Sequence, residues 1–103
     1  MSVSAEFDLP LTLMVVRVGG VLDAETTLRL LDTLRAADLV AIPSASELAV
    51  VLPNTTPDGA GALERRVRRV LPEAGIGLAV YEPNDEFSGL LGRARVAADA
   101  RNP

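Results

Sequence analysis

The chain contains no cysteine, no histidine and no tryptophan, and its ten basic residues are all arginine. Without cysteine there is no disulfide framework and no thiolate nucleophile. Without histidine, the imidazole ligands of zinc and copper and the Ser-His nucleophile schemes are also missing. Only a hard cation held by carboxylates stays open. Aromatics are scarce, with one Tyr and two Phe, so a sheet of bases-on-aromatics RNA recognition is disfavoured. Tyr81, Phe7 and Phe87 read as core or rim packing. Fourteen acidic residues outweigh the arginines, giving a net charge of −4. That sign opposes nonspecific binding to nucleic acid or to an anionic membrane.

A long hydrophobic run is missing too. The apolar stretch Leu9 to Val18 is broken by Pro10, Thr12 and Arg17, and a bilayer span needs roughly 20 residues. The start, MSVSAEFDLP, has no basic segment of the kind that opens a secretory signal. The cytoplasm is the expected compartment, with no membrane partner. What is present is a chain of 103 residues that is 49% hydrophobic, enough for one domain over 1–103 with a single core.

Organisation follows from periodicity. Leu11 to Val18 (LTLMVVRV) is a β-branched apolar run stopped by Gly19-Gly20, which predicts a strand and a turn. From Asp23, a plausible N-cap, Leu28, Leu31 and Leu34 recur at helical spacing through about residue 37. Leu39 to Ile42 and Glu47 to Leu52 read as two strands joined by Pro-Ser-Ala-Ser in a hairpin. Asn54, Thr55 and Thr56 form a cap region before a helix with the apolar stripe Ala60, Leu63, Val67, Val70 and Leu71, stopped by Pro72. Gly75 to Tyr81 reads as a fourth strand and Phe87 to Ala100 as a last amphipathic helix. The order predicts an α+β, ferredoxin-like βαββαβ sandwich: a four-stranded antiparallel sheet with helices on one face, plus a C-terminal helix. That fold hosts many functions and decides none.

The stretch DLVAIPSASELAVVLPNT (38–55) resembles the central segment of GGDEF domains, the diguanylate cyclases and their degenerate relatives, which usually read S-D-L-V-A-R-x-G-G-D-E-F-A-V-L-L-P-x-T. The helix LERRVRRV resembles the family's A-E-R-I-R helix, and LLGRARVAADAR resembles its L-L-x-R-A-D-x-A-L-Y-x-A-K. The likeness runs from about Leu11 to Arg101. In this alignment the signature pentapeptide falls on Ser44, Ala45, Ser46, Glu47 and Leu48.

The departures concern catalysis. The family holds its Mg²⁺ with an aspartate on strand one and with the acidic third residue of the signature. Here strand one reads VVRV at 15–18 and the signature position is Ser46. Metal-assisted phosphoryl transfer needs several anionic oxygens, and Glu47 alone does not supply them. Ser44 and Ala45 add a Cβ where the family's glycines let backbone approach nucleotide, and Pro43 removes a donor. The loop after strand one, source of the family's guanine-reading residues, is shortened to GGVLDAE. The resemblance therefore implies a domain without catalytic residues, metal or cofactor. Glu47 is expected to open an exposed end of strand three.

The resemblance also implies a surviving ligand site. Many family members carry an inhibitory R-x-x-D motif five residues before the signature, matched by Arg35 and Asp38, and use an arginine on the helix after the hairpin, matched by Arg66. An arginine fork can donate to guanine O6 and N7, and a carboxylate can accept from guanine N1–H and N2–H. Arg66 flanks the apolar stripe, whereas Arg65 and Arg69 are expected to point to solvent. Against this, R-x-x-D is also an ordinary i,i+3 ion pair, and Arg29-Leu30-Leu31-Asp32 repeats it one and a half turns earlier. Two readings stand. One is an inactive receptor for cyclic di-GMP that passes its signal to a partner protein, since the chain starts at a Met and carries no fused output domain, with ligand-linked homodimerisation. The other is a nucleotide-independent protein-interaction or dimerisation module. A ferredoxin-like small-ligand sensor of another kind is favoured by no residue.

Overall fold

The computed structural model describes residues 10–33 and 39–101. The elements in chain order are β1 (Leu11–Arg17), α1 (Ala24–Thr33), β2 (Leu39–Ser44), β3 (Glu47–Pro53), α2 (Gly61–Val70), β4 (Gly75–Val80) and α3 (Phe87–Arg101). The strands form one antiparallel sheet in the order β2-β3-β1-β4, as the βαββαβ pattern requires.

β1 is central, and Leu11 to Val16 are all buried. Successive side chains point to opposite faces, so the unbroken apolar run feeds two cores. Met14 and Val16 join Leu30 of α1 and Val67 of α2 on one side. Leu11, Leu13 and Val15 join Leu90, Leu91 and Ala94 of α3 on the other. The C-terminal helix thus covers the sheet face that α1 and α2 leave bare.

α3 lies very close to the sheet. A Cβ on Gly77 would overlap the Ala94 carbonyl oxygen and the Ala98 amide nitrogen and would stand 2.9 Å from Ala98 Cα. Glycine on the strand and alanines on the helix let two backbones meet, so the requirement at 77 is steric. α3 has apolar residues beyond its buried face, because Phe87 and Val96 are exposed.

Several local expectations shift. Asp23 does cap α1, its Oδ1 accepting from the Thr26 amide at 2.7 Å, and this bond lowers its pKa. The leucine that α1 buries is Leu30, however, while Leu28 and Leu31 are exposed, because the face turned to the sheet carries Leu30 and not these two. Leu34 lies outside the described residues. α2 begins at Gly61 without a side-chain cap. The Thr56 hydroxyl instead accepts from Gly59 N at 3.1 Å, shaping a turn before the helix. Asn54 takes a positive φ of 52° where the chain leaves β3, a conformation asparagine tolerates.

β2 continues through Pro43 to Ser44, leaving Ala45-Ser46 as the turn. Pro43 is accommodated because β2 is an edge strand whose pairing with β3 is irregular between Ala41 and Ser44.

Candidate functional site

Two regions carry the charged residues singled out by the sequence, and they differ in kind. The first is the sheet end at the β2–β3 turn. Glu47 faces Arg17 across the β3–β1 ladder, on the side of the sheet that α3 covers. Arg95 reaches down from α3 and grips the Glu47 carboxylate with both forks, Nε to Oε2 at 2.9 Å and Nη2 to Oε1 at 2.7 Å. Arg17 Nη2 donates to Oε2 at 3.1 Å, and the Ser44 hydroxyl donates to Oε1 at 2.9 Å. Arg17 is itself held by Asp99 of α3.

Glu47 is only 4% exposed, which corrects the expectation of an exposed strand end. Burial alone would raise its pKa, but the Arg95 hydrogen bonds, helped by Ser44 and Arg17, pull it down to about 2. Sequence reasoning missed this because it treated Arg17 only as part of a strand-one departure and did not single out Arg95. The signal available was one of charge alone: arginines at 17 and 95 and a glutamate at 47.

The turn is tied down as well. Its carbonyls accept from the loop after β1, Ala45 O from Leu22 N at 2.8 Å and Ser46 O from Val18 N at 2.9 Å. The shortened loop therefore lies against the backbone of the signature positions. Ser44 lies beside Glu47, Ser46 Oγ is 3.5 Å from Ser44 Oγ, Ala45 is exposed, and Leu48 is in the core with Leu30 and Val67.

These residues do not fit a divalent cation. Both Glu47 oxygens are taken by arginine, the strand-one position is itself a cation, and Asp99 is engaged by Arg17. Among the described residues, no three or more His, Cys, Asp or Glu side chains gather where they could hold a metal.

The second region is the groove between α1 and α2. Asp32 and Thr33 of α1 and Arg66, Arg69 and Val70 of α2 line a depression of about 350 Å³. Arg66 also borders a neighbouring, more apolar hollow of about 170 Å³, lined by Leu52, Ala60 and Leu63 among others. Arg66 thus borders the same depression as Asp32 and Thr33 of the neighbouring helix. Arg69 is exposed, as expected, and borders the same depression, because one helical turn places 66, 69 and 70 along one flank. Arg65 is exposed and does not line the depression.

Arg35 and Asp38 lie outside the described residues. Thr33, the last described residue before them, is at the edge of this depression. Arg29 and Asp32, the second R-x-x-D, form no ion pair among the described residues. Arg68 and Arg93 are structural. Arg68 bridges Glu64 at 3.5 Å and the Ala74 carbonyl at 3.1 Å, and Arg93 clamps Asp85 at 2.7 Å and the Val80 carbonyl at 2.8 Å. No described helix is long and apolar enough to cross a membrane.

No protein-family model and no curated protein matches this sequence. Solved structures do. The GGDEF domain of FimX from Pseudomonas aeruginosa superposes with a TM-score of 0.76 at 18% identity, over 91% of this chain and 75% of that one. The diguanylate cyclase SiaD from the same organism, solved with its activator SiaC, gives 0.78 at 17% identity over 97% of this chain. This chain spans about half (49%) of SiaD. A DGC protein from Thermotoga maritima gives 0.67 at 16% identity, over 99% and 85% of the two chains. At such identities the likeness is one of architecture, and it agrees with the resemblance read from the sequence: the chain has the fold of a GGDEF domain.

Proposed function

We propose that the protein is a catalytically inactive GGDEF-fold receptor for cyclic di-GMP, which it binds through Arg35, Asp38 and Arg66, passing the signal to a partner protein. The observation that carries the ligand reading is the position of Arg66. Its guanidinium has no partner among the described residues, and it borders a depression also lined by Asp32 and Thr33, which precede Arg35 in sequence. The inactive assignment is supported by the opposite end of the sheet, where Arg17 and Arg95 are bonded to the Glu47 carboxylate.

Titration calorimetry with cyclic di-GMP tests the reading. Wild type binds with 1:1 or 2:1 ligand stoichiometry and gains thermal stability, and Arg35→Ala, Asp38→Ala and Arg66→Ala each weaken binding at least tenfold. Absence of both heat and a melting shift at saturating ligand refutes it. Incubation with GTP and Mg²⁺ yields no cyclic di-GMP; measurable turnover refutes the inactive assignment.

The second reading, a nucleotide-independent interaction module, is favoured by Val21, Leu28 and Leu31, large apolar side chains exposed at and just before α1. SiaD, crystallised with its activator SiaC, is a fold neighbour that works in a protein complex.

A further inference from the structure

The described sheet ends in β2 on one side and β4 on the other, and an edge strand offers unpaired backbone groups to any extended chain. β2 is blunted by Pro43 and by its irregular pairing with β3. β4 reads GIGLAV, so its own sequence carries neither the proline nor the charge that would blunt it. Its open side follows from the ladder. Tyr81 N donates to Leu11 O at 2.8 Å, which makes these two a hydrogen-bonded pair. Such pairs alternate in an antiparallel ladder. Leu13↔Ala79 and Val15↔Gly77 therefore exchange bonds, whereas Thr12↔Val80, Met14↔Leu78 and Val16↔Ile76 do not. The N–H and C=O of Ile76, Leu78 and Val80 point away from β1, to the side where no further strand follows among the described residues.

Two arginines from different helices reach this side. Arg93 of α3 donates Nη2 to the outward Val80 carbonyl at 2.8 Å, and Asp85 holds the same guanidinium at 2.7 and 2.9 Å. At the other end Arg68 of α2 donates Nη1 to the carbonyl of Ala74, the residue before β4, at 3.1 Å, braced by Glu64 at 3.5 Å. Both side chains are partly exposed, and ion pairs in that setting add little to stability. We propose that Arg68 and Arg93 guard the β4 edge, barring a second copy of this chain from adding its own β4. The excluded pairing is self-complementary. Antiparallel pairing centred on Leu78 sets Ile76 against Val80 and would satisfy every outward N–H and C=O of the three residues, but it needs the Val80 carbonyl that Arg93 holds. With both edges closed, a protein partner is left the helical faces. The inference is independent of the cyclic di-GMP reading.

The test is sedimentation of the ligand-free protein over a range of concentrations, for wild type, Arg93→Ala, Arg68→Ala/Arg93→Ala, Arg93→Lys and Arg65→Ala, each variant first shown to be folded by circular dichroism. The double variant, and Arg93→Ala to a smaller extent, shift toward dimer as concentration rises, and amide exchange at Leu78 and Val80 slows in parallel. Arg93→Lys keeps a charge at the edge and sediments as wild type does, as does Arg65→Ala. Adding Val80→Pro to either associating variant removes an outward N–H without breaking a bond to β1, and it abolishes the shift; simple loss of stability would not be reversed in this way. The inference is wrong if neither Arg93→Ala nor the double variant departs from wild type at any concentration. It is equally wrong if Val80→Pro leaves the shift in place, or if exchange at Leu78 and Val80 already slows with concentration in the wild type.

Discussion

The two ends of this domain treat arginine in opposite ways. At the β2–β3 turn, Arg17 and Arg95 are consumed by a buried carboxylate, with Ser44 and Asp99 completing the cluster. In the α1–α2 groove, Arg66 and Arg69 border open space with no partner among the described residues. The same side chain is structural where β1, β3 and α3 converge and available where only two helices meet. A charge closed into a buried network stabilises the fold and is lost to chemistry, whereas a charge kept open contributes little to stability and can meet a ligand.

That contrast can be broken from the closed side first. Gly77→Val should have the largest effect, because its side chain would occupy space held by the Ala94 and Ala98 backbones. Overpacking of this kind costs about 3 kcal/mol or more, and lifting α3 off the sheet would also carry Arg95 away from Glu47. Chemical denaturation should show a much lower midpoint; an unchanged midpoint would mean that α3 does not dock as described.

Glu47→Ala comes next. It leaves two guanidiniums facing one another beside a vacated carboxylate site, at a cost of about 2–3 kcal/mol, the low end for a broken buried pair because both arginines are partly exposed. The pH dependence has a definite sign. Glu47 ionises at about 2 in the fold against 4.5 ordinarily, so its contribution is whole above pH 4.5 and is lost as pH falls toward 2. Asp85, held near 2 by Arg93 and the Glu82 amide, titrates in the same range. The comparison is therefore wild type against Glu47→Gln, whose stability should fall less steeply over that window. Parallel slopes would refute the cluster.

Arginine variants then compare the two ends directly. Arg95→Ala removes two short hydrogen bonds to Glu47 and should cost about 2 kcal/mol, and Arg17→Ala about 1 kcal/mol, since its bonds to Glu47 are longer. Arg66→Ala and Arg69→Ala should fall within about 0.5 kcal/mol of wild type. Equal costs at all four positions would erase the distinction between closed and open ends.

Much of the fold was legible in sequence because its signals are local. β-branched runs ended by glycine or proline gave the strands, and Asp23 and Pro72 marked helix limits. The burial of β1 on both faces was less so, since a continuous apolar run does not say what covers each face. Nor could i,i+3 leucines reveal that α1 turns Leu30 inward and leaves Leu28 out, because that depends on how the helix is rolled against the sheet.

The site was legible in part. Arg66 was singled out through its place relative to the hairpin, and it borders the α1–α2 depression. Glu47's true setting was not, because Arg17, Glu47 and Arg95 are separated by 30 and 48 residues and meet only once β1, β3 and α3 are assembled. Arg69 is exposed, as a helical wheel suggests, but the wheel describes angles around one helix and does not show that Arg69 borders a depression shared with α1.

The central claim is that ligand chemistry belongs to the α1–α2 groove and not to the remnant of the signature turn. The most direct measurement is an amide chemical-shift titration of the 10.8 kDa chain with cyclic di-GMP. Perturbations should concentrate at 32–38, Arg66 and Arg69 and leave Ser44 to Leu48 and Arg95 unmoved. Shifts confined to the turn and Arg95, or no shifts at saturating ligand, would contradict it.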